Sequence, residues 1–103
     1  LGLETALGVV LSVLDLTPLQ VAEMMSVRPA KIAGIAERHG MLPEVGGPAN
    51  LCVVDMHQEW TVEPRSLASK STNTPYVGRV LRGKVRHTVF NGHVVVSDGK
   101  AMR

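Results

Sequence analysis

Histidines are the side chains of this sequence best suited to bind a metal ion or to transfer a proton. The chain has four of them, His39, His57, His87 and His93. None belongs to a His-x-His or His-Glu-x-x-His motif, the spacings that bring two imidazoles to one metal. Zinc needs three or four convergent ligands, and a hairpin predicted at Asn91-Gly92 places His87 and His93 on opposite faces. We therefore expect no metal site within the chain.

The remaining polar residues form no catalytic motif that we recognise. Asp55, Glu59 and Glu63 are expected to be solvated charges at strand edges, and His39 to lie at a helix end, where the helix dipole favours an imidazole. A Gly-x-Ser-x-Gly elbow and a phosphate-binding loop are both absent from the sequence. The glycines of residues 41–51 lie between Pro43 and another proline, which favours a turn. The sequence thus offers no catalytic, substrate-binding or metal-binding residue.

Length and composition exclude several classes of protein. The chain has 103 residues, one cysteine and a formal charge of +2, so it is too short for a complete (β/α)₈ barrel of about 200 residues. One cysteine excludes an internal disulfide framework, and Cys52, inside an apolar run, is expected to be buried and inert. The charge gives no basic stripe for nucleic acid.

The start of the chain is apolar, yet it suits neither a membrane span nor a secretory signal. The run from Ala6 to Leu14 is far shorter than the roughly 20 residues that a bilayer requires. A basic segment, which begins secretory signals, is missing, so we expect a cytoplasmic protein. The sequence begins without methionine and already inside a helical pattern, and we therefore expect it to be a piece of a longer polypeptide.

Apolar periodicity predicts a first helix that is hydrophobic on nearly every side. The residues that share its main face are Leu3, Leu7, Val10, Leu11 and Leu14. A helix of this kind is buried on several sides. Because so short a chain cannot cover it alone, we expect other polypeptide to do so.

A second helix should begin at Thr17, which can cap it, with Gln20 completing a capping box. It should run to about residue 26, with Leu19, Ala22 and Met25 on its apolar side. A third helix is predicted from Pro29 to Ile35. The residues expected to point inward there are Ile32 and Ile35, whereas Arg28, which precedes Pro29, is expected outside the helical region.

The second part of the chain has the pattern of strands. A buried strand is predicted for residues 51–54, a weaker one for 60–62, and a third for Leu81 and residues 85–90. Residues 63–78 are predicted to form a polar loop with one helical turn at 64–68, either a surface loop or a segment that packs against another domain. Asn91-Gly92 predicts a two-residue hairpin, which would pair Phe90 with His93, Val89 with Val94 and His87 with Val96. Helices followed by strands make an α+β order.

Several segments together resemble one family. They are Gly2-Leu3-Glu4-Thr5, Arg28-Pro29-Ala30-Lys31-Ile32, Pro48-Ala49-Asn50-Leu51-Cys52-Val53-Val54-Asp55, Trp60-Thr61-Val62, and Ser69-Lys70-Ser71-Thr72-Asn73-Thr74-Pro75-Tyr76. In order and spacing they resemble the C-terminal quarter of a bacterial dihydroorotase of the amidohydrolase superfamily. The last segment is the most specific, because allantoinases carry a more basic run there. The family often has Asp at position 50, and we interpret Asn50 as a local turn variation.

The resemblance implies a fold and a function that the residues alone do not. It implies an α+β fragment in which residues 1–38 are the last helices of a (β/α)₈ barrel. Residues 39–103 would then be the C-terminal strands of a small composite β-sandwich, with loop 63–78. Family members interconvert N-carbamoyl-L-aspartate and L-dihydroorotate in pyrimidine biosynthesis and use zinc. Their ligand motifs lie upstream, so this segment alone is expected to be inactive and to bind no zinc.

The resemblance also implies partners and leaves alternatives open. The first expected partner is the N-terminal barrel portion of the same protein, and a homo-oligomer or a complex with aspartate carbamoyltransferase would be consistent with the family. No nucleic acid and no membrane is expected. One alternative is the tail of a metal-free dihydroorotase homologue that serves as a scaffold for aspartate carbamoyltransferase. Another is a segment of a sister cyclic amidase such as allantoinase.

Overall fold

The predicted order of helices followed by strands is confirmed. A computed structural model describes residues 2–42 and 44–102, so the turn predicted at Pro43 lies outside the described residues. Three short helices precede a four-stranded antiparallel sheet of order β1-β2-β3-β4. The elements are α1 (Leu3–Val13), α2 (Pro18–Ala22), a π-helical turn (Glu23–Val27), α3 (Arg28–Ala33), β1 (Leu51–Thr61), a 3₁₀ turn (Pro64–Ser66), β2 (Val80–Phe90), β3 (His93–Ser97) and β4 (Lys100–Ala101).

Helix α1 packs against β2, and this contact holds the main core. Leu11 is only 2% exposed and Leu81 only 5%. The close approach of α1 to β2 depends on Gly83. Its φ of +97° is a value that glycine adopts easily, and Leu11 fills the space that a Cβ at this position would occupy. Arg82 fixes the far end of α1, because its Nη2 donates to the Leu11 carbonyl oxygen at 2.8 Å and its backbone N–H donates to Ser12 Oγ at 2.8 Å.

The chain covers only one side of this apolar helix. Leu3 is 92% exposed and Val13 is 74% exposed, although both are large aliphatic residues. Such side chains are normally buried in a folded domain. The uncovered face agrees with the expectation that other polypeptide covers α1, and that expectation stays a prediction.

The predicted capping box at the start of α2 is confirmed. Thr17 Oγ1 accepts from the Gln20 backbone N–H at 3.2 Å, and Gln20 Oε1 accepts from the Thr17 N–H at 2.8 Å. Two of the unpaired N–H groups at the helix start are thereby satisfied.

The prediction that Arg28 leaves the helical region is wrong. Its φ and ψ are −63° and −46°, and α2, the π-helical turn and α3 form one continuous helical run. In the wider turn the Arg28 N–H donates to the Glu23 carbonyl oxygen, five residues back. A π-turn shifts carbonyls away from their α-helical partners, which makes room for the ring of Pro29 without a break.

The apolar faces predicted for the second and third helices are also wrong. Leu19 is 83% exposed and Ile32 is 87% exposed, and Ala22 and Ile35 are exposed as well. The residues that are buried instead are Val21 and Ala30. The extra residue of the π-turn rotates the next helical residues by about 100°, and no described element of this chain packs on the side of Leu19.

The strands predicted at residues 51–54 and 60–62 are one strand, β1. Two irregularities interrupt its pairing with β2, one between Val53 and Val54 and one between Asp55 and Glu59. Asp55 stabilises the second, because its Oδ1 accepts from the backbone N–H groups of His57 at 2.9 Å and Gln58 at 3.1 Å. This local hydrogen bonding gives the strand a bulge where the sequence predicts a break.

The hairpin predicted at Asn91-Gly92 is confirmed, with φ values of +48° and +81° at its two central residues. The pairs Phe90–His93 and Val89–Val94 are as predicted, but Val96 pairs with Thr88 and not with His87. A bulge on β3 takes up one extra residue between these pairs. It moves Val96 to the opposite face of the sheet.

Loop 63–78 is confirmed, together with a turn of 3₁₀ helix at Pro64–Ser66 within it. The loop returns beside the point where it leaves the sheet. Val62 is fully buried; its N–H donates to the Arg79 carbonyl oxygen and its carbonyl accepts from the Gly78 N–H, both at 2.9 Å. These two bonds fix the base of the loop.

Asn50 connects the helical part to the hairpin, which is more than the turn variation that the sequence predicts. Its Oδ1 accepts from the Asn91 N–H at 2.7 Å, and its Nδ2 donates to the Arg38 carbonyl oxygen at 2.8 Å. A carboxylate has no hydrogen to donate to Arg38. Asn is therefore the residue that this junction needs.

Candidate functional site

An open groove of about 800 Å³ lies between helix α1, loop 63–78 and the sheet. Its walls are the N-terminal half of α1, the turn after Pro64–Ser66, and one face of the sheet. Aliphatic side chains, small residues and a few charges line it. Residues that contribute from the three walls include Leu3, Glu4, Leu67, Ala68, Trp60, Lys84, Thr88, Val96 and Lys100.

Glu4 lines the groove and holds the loop that forms one of its walls. Its Oε1 accepts from the backbone N–H of Ala68 at 2.7 Å, and its Oε2 accepts from the N–H of Ser69 at 3.0 Å. Glu4 lies in the first turn of α1, where the helix dipole stabilises a carboxylate. One side chain thus joins two successive peptide groups to a helix start that lies 64 residues away in sequence.

Trp60 and Lys84 line the groove from the sheet and contact each other. The Lys84 Nζ lies 4.8 Å from the centre of the Trp60 ring, within the range of a cation–π contact. The indole Nε1 donates to the Gly83 carbonyl oxygen at 2.9 Å, which fixes the ring against β2. This arrangement holds the ring and the cation in place, and it contains no nucleophile paired with a base.

The four histidines are placed separately. His57 lies in the β1 bulge beside Asp55, and His93 begins β3 at an exposed position. The prediction that His39 lies at a helix end is wrong, because α3 already ends at Ala33. Its ring stacks instead on Phe90, with centroids 6.1 Å apart.

His87 has the most polar surroundings of the four. Its Nδ1 accepts from the Asp98 backbone N–H at 3.4 Å, and its Nε2 lies 3.9 Å from Asp98 Oδ1. Arg86 Nη2 lies 3.5 Å from the same carboxylate oxygen. All three side chains are more than a third exposed, and the cluster is a solvated surface arrangement.

The donor set of this segment does not fit the zinc that the resemblance implies. Among residues 2–42 and 44–102, no three His, Cys, Asp or Glu side chains converge as a metal would require. Cys52 is a free thiol and is exposed, contrary to the prediction that it is buried. Cys52 on β1 lies opposite Thr88 on β2 in the strand register, and Thr88 lines the open groove. We therefore derive no chemical step through a metal for these residues.

Glu4 and Asn50 are two polar residues whose contacts the sequence does not predict. An acid in the first helical turn, such as Glu4, is a recognisable signal of a stabilised carboxylate. Nothing in the sequence shows that Ala68 and Ser69 return to it. The bonds of Asn50 to Arg38 and Asn91 likewise depend on tertiary structure.

The comparisons with known proteins first define a class. The L-hydantoinase (dihydropyrimidinase) from Arthrobacter aurescens matches this fold with a TM-score of 0.87 and 30% sequence identity, over 100% of this chain and 24% of that one. The fold of this chain is thus similar to that of one segment, about a quarter, of an L-hydantoinase. No family model matches the chain.

Sequence comparison then points to a particular family of amidohydrolases. The chain is 48% identical over 103 residues to a dihydroorotase of Streptomyces coelicolor, and 45% identical over 105 residues to one of Mycobacterium leprae. These matches cover 96% and 98% of this chain but 24% of each relative. The predicted resemblance to a C-terminal segment of bacterial dihydroorotases is confirmed, and the chain spans about a quarter of their length.

The described helices contain no candidate for a membrane span. None of them combines the length and the apolar character that crossing a bilayer demands.

Proposed function

We propose that this chain is the C-terminal structural segment of a dihydroorotase, which interconverts N-carbamoyl-L-aspartate and L-dihydroorotate in pyrimidine biosynthesis. The observation that carries the proposal is the 48% identity to a dihydroorotase over 96% of this chain. The lack of a convergent ligand set among the described residues fits a segment whose longer protein binds zinc and substrate elsewhere. We propose that the longer protein is located in the cytoplasm.

We further propose that residues 1–38 contribute the last helices of a (β/α)₈ barrel. Residues 39–103 would then form the C-terminal strands of a small composite β-sandwich. Support comes from the apolar residues left uncovered on α1, α2 and α3, since a barrel helix buries one face on strands and others on neighbouring helices. The main partner of this segment would then be the barrel portion of its own protein. A homo-oligomer or a complex with aspartate carbamoyltransferase would be a further interaction of the whole enzyme.

The test compares the segment with the longer protein. With added zinc, the longer protein should hydrolyse L-dihydroorotate, and the purified 103-residue segment should show no turnover under the same conditions. Hydrolysis of L-dihydroorotate by the segment alone would contradict a purely structural role. A longer protein that lacks zinc and activity, yet binds aspartate carbamoyltransferase, would favour the scaffold function instead.

A second candidate is another cyclic amidase, and the structural match to an L-hydantoinase favours it. Hydantoinases, allantoinases and dihydroorotases would be distinguished by the substrate. The longer protein should be assayed on L-dihydroorotate, allantoin and a hydantoin at equal concentrations. A kcat/KM for dihydroorotate at least about tenfold above the others, a difference of about 1.4 kcal/mol in transition-state binding, supports the dihydroorotase assignment.

A further inference from the structure

Loop residues 67–73, which we name the rim loop, are held by α1 at one end and bounded by a buried residue at the other. At one end, the Glu4 carboxylate accepts from two successive backbone N–H groups, those of Ala68 and Ser69, at 2.7 and 3.0 Å. At the other end, Thr74 is buried and its Oγ1 accepts from the Tyr76 N–H at 3.3 Å. The rim loop is thus hydrogen-bonded to α1 at one end and ends beside the buried Thr74 at the other.

The tip of the rim loop is polar, exposed and internally braced. Ser69 Oγ accepts from the Ser71 N–H at 3.3 Å, and Ser71 Oγ accepts from the Asn73 N–H at 3.4 Å. These are the local turns that serine forms with its own backbone neighbours. Lys70 lies at this tip, is exposed, and takes part in none of the ion pairs found among the described residues.

The position of Glu4 says where the rim loop would lie in the longer protein. Active sites of (β/α)₈ barrels lie at the carboxyl ends of the strands, in the loops that lead into the helices. Helix N-termini therefore lie at the same end as the active site. If α1 is a barrel helix, Glu4 in its first turn attaches the rim loop to that end.

From this placement we propose that Glu4 is a positioning residue that holds the rim loop at the entrance of the active site, where Lys70 attracts the anionic substrate. The inference rests on the proposed function, since N-carbamoyl-L-aspartate and L-dihydroorotate both carry carboxylates. A fixed cation at the mouth of a site raises the encounter rate of an anion, and salt screens this effect.

The test uses Glu4→Gln and Lys70→Gln in the longer protein, with L-dihydroorotate as substrate. Glutamine keeps the size of Glu4 but offers one carbonyl oxygen and turns an NH₂ group toward the second amide. Both variants should lower kcat/KM about threefold or more at low ionic strength, mainly through KM, and the loss should shrink as salt is raised. Lys70→Arg should restore the wild-type value.

A matched control separates this role from general effects of charge or folding. Lys31→Gln removes the same charge from α3, at an exposed position, and should leave both kcat/KM and its salt dependence unchanged. Hydrogen exchange adds a readout of the tether itself, because Glu4→Gln should speed exchange at Ala68 and Ser69 without lowering the melting temperature more than Lys31→Gln does.

Failure of the inference and failure of the proposed function give different results. If the wild-type protein turns over dihydroorotate but Glu4→Gln and Lys70→Gln match the Lys31→Gln control, the rim loop has no role at the entrance and the inference is overturned. If the wild-type protein hydrolyses allantoin or a hydantoin and not dihydroorotate, the proposed function is wrong and the role of Lys70 toward this substrate fails with it.

Discussion

At the scale of single residues, Asn50 shows how one side chain can require a specific chemical type. Its amide accepts from Asn91 and donates to Arg38, which ties the helical part to the hairpin. In Asn50→Asp the second oxygen would face the Arg38 carbonyl oxygen without a hydrogen between them. We expect the free energy of unfolding of the chain to fall by about 1 kcal/mol, measured by urea titration.

A control for Asn50→Asp is the same change at Asn73. The Asn73 side chain is exposed, and no hydrogen bond to it is found within the described ranges, so Asn73→Asp should leave the urea midpoint unchanged. If both variants unfold at the same urea concentration as the wild type, the amide of Asn50 contributes nothing specific. The interpretation of position 50 as a simple turn would then be restored.

Gly83 is the second residue whose type is set by its surroundings. It combines a φ of +97° with the contact to Leu11, whereas Gly92, at φ +81°, has open space where a Cβ would be. Gly92→Ala should therefore cost only the left-handed conformation, about 1–2 kcal/mol. Gly83→Ala should cost that amount plus overpacking of about 1–3 kcal/mol.

The measurement is the thermal or urea unfolding of the two alanine variants side by side. Combining Leu11→Ala with Gly83→Ala should cost less than the sum of the two single changes, because the smaller side chain no longer overlaps the new methyl group. Equal destabilisation by Gly83→Ala and Gly92→Ala would contradict the close approach of α1 to β2.

Sequence reasoning succeeds for residues whose role is local and fails where the partner is distant. The positive φ values at Asn91 and Gly92 follow from their own chemistry, and the same is true of the Thr17 cap. The partners of Glu4 lie 64 and 65 residues away, so no local pattern records them. The fold must be known before such a residue can be assigned to a site.

At the scale of elements, the helical run from residue 18 to 33 depends on its start. The capping box of Thr17 and Gln20 is the main polar contact there, and much of the outer surface of the run is uncovered. Thr17→Ala should therefore lower the free energy of unfolding by about 1 kcal/mol, and helix content measured by circular dichroism should fall on warming before the sheet unfolds.

Serine and valine at position 17 are the matched pair for this prediction. Thr17→Ser keeps the hydroxyl that accepts from Gln20 and should behave like the wild type, whereas Thr17→Val keeps the shape of threonine and should behave like Thr17→Ala. Retention of wild-type stability by Thr17→Val would show that the cap does not hold this run in place.

The elements themselves can be predicted from the sequence, but their irregularities cannot. Periodicity and turn residues locate the three helices and much of β1, β2 and β3, because those signals depend on neighbouring residues, whereas β4 (Lys100–Ala101) is not predicted. The π-turn and the bulge of β3 each insert one residue, and the irregularity of β1 between Asp55 and Glu59 inserts two, none of which the sequence pattern predicts. The π-turn rotates the helical residues beyond it, and Ile32, predicted to point inward, is exposed in this chain. The β3 bulge moves Val96 to the face of Thr88, which is why the predicted pairing with His87 is wrong.

At the scale of the whole molecule, the chain leaves many large apolar side chains in water. They lie on all three helices, on the sheet and in the connection between them, and include Leu3, Val13, Leu19, Ile32, Leu42 and Val94. Contiguous exposed apolar surface usually marks an interaction surface. The chain spans about a quarter of the length of its relatives. Residues of a longer protein would therefore be available to cover this apolar surface.

One substitution can test whether the face of α3 that carries Ile32 is exposed or covered in the longer protein. Ile32 is 87% exposed in this chain, so Ile32→Glu should change the stability of the isolated segment by no more than about 0.5 kcal/mol and should reduce its binding of a hydrophobic dye. In the longer protein the same glutamate would be buried against apolar residues, and burial of an unpaired charge costs several kcal/mol.

Ile32→Glu is therefore expected to make the segment more soluble but to lower the melting temperature of the longer protein by several degrees. Lys31→Glu, at the neighbouring exposed position, should be neutral in both, because it places its charge in water. If Ile32→Glu leaves the longer protein as stable as Lys31→Glu does, this face of α3 is solvent-exposed there too, and the helix is not packed against a barrel through Ile32.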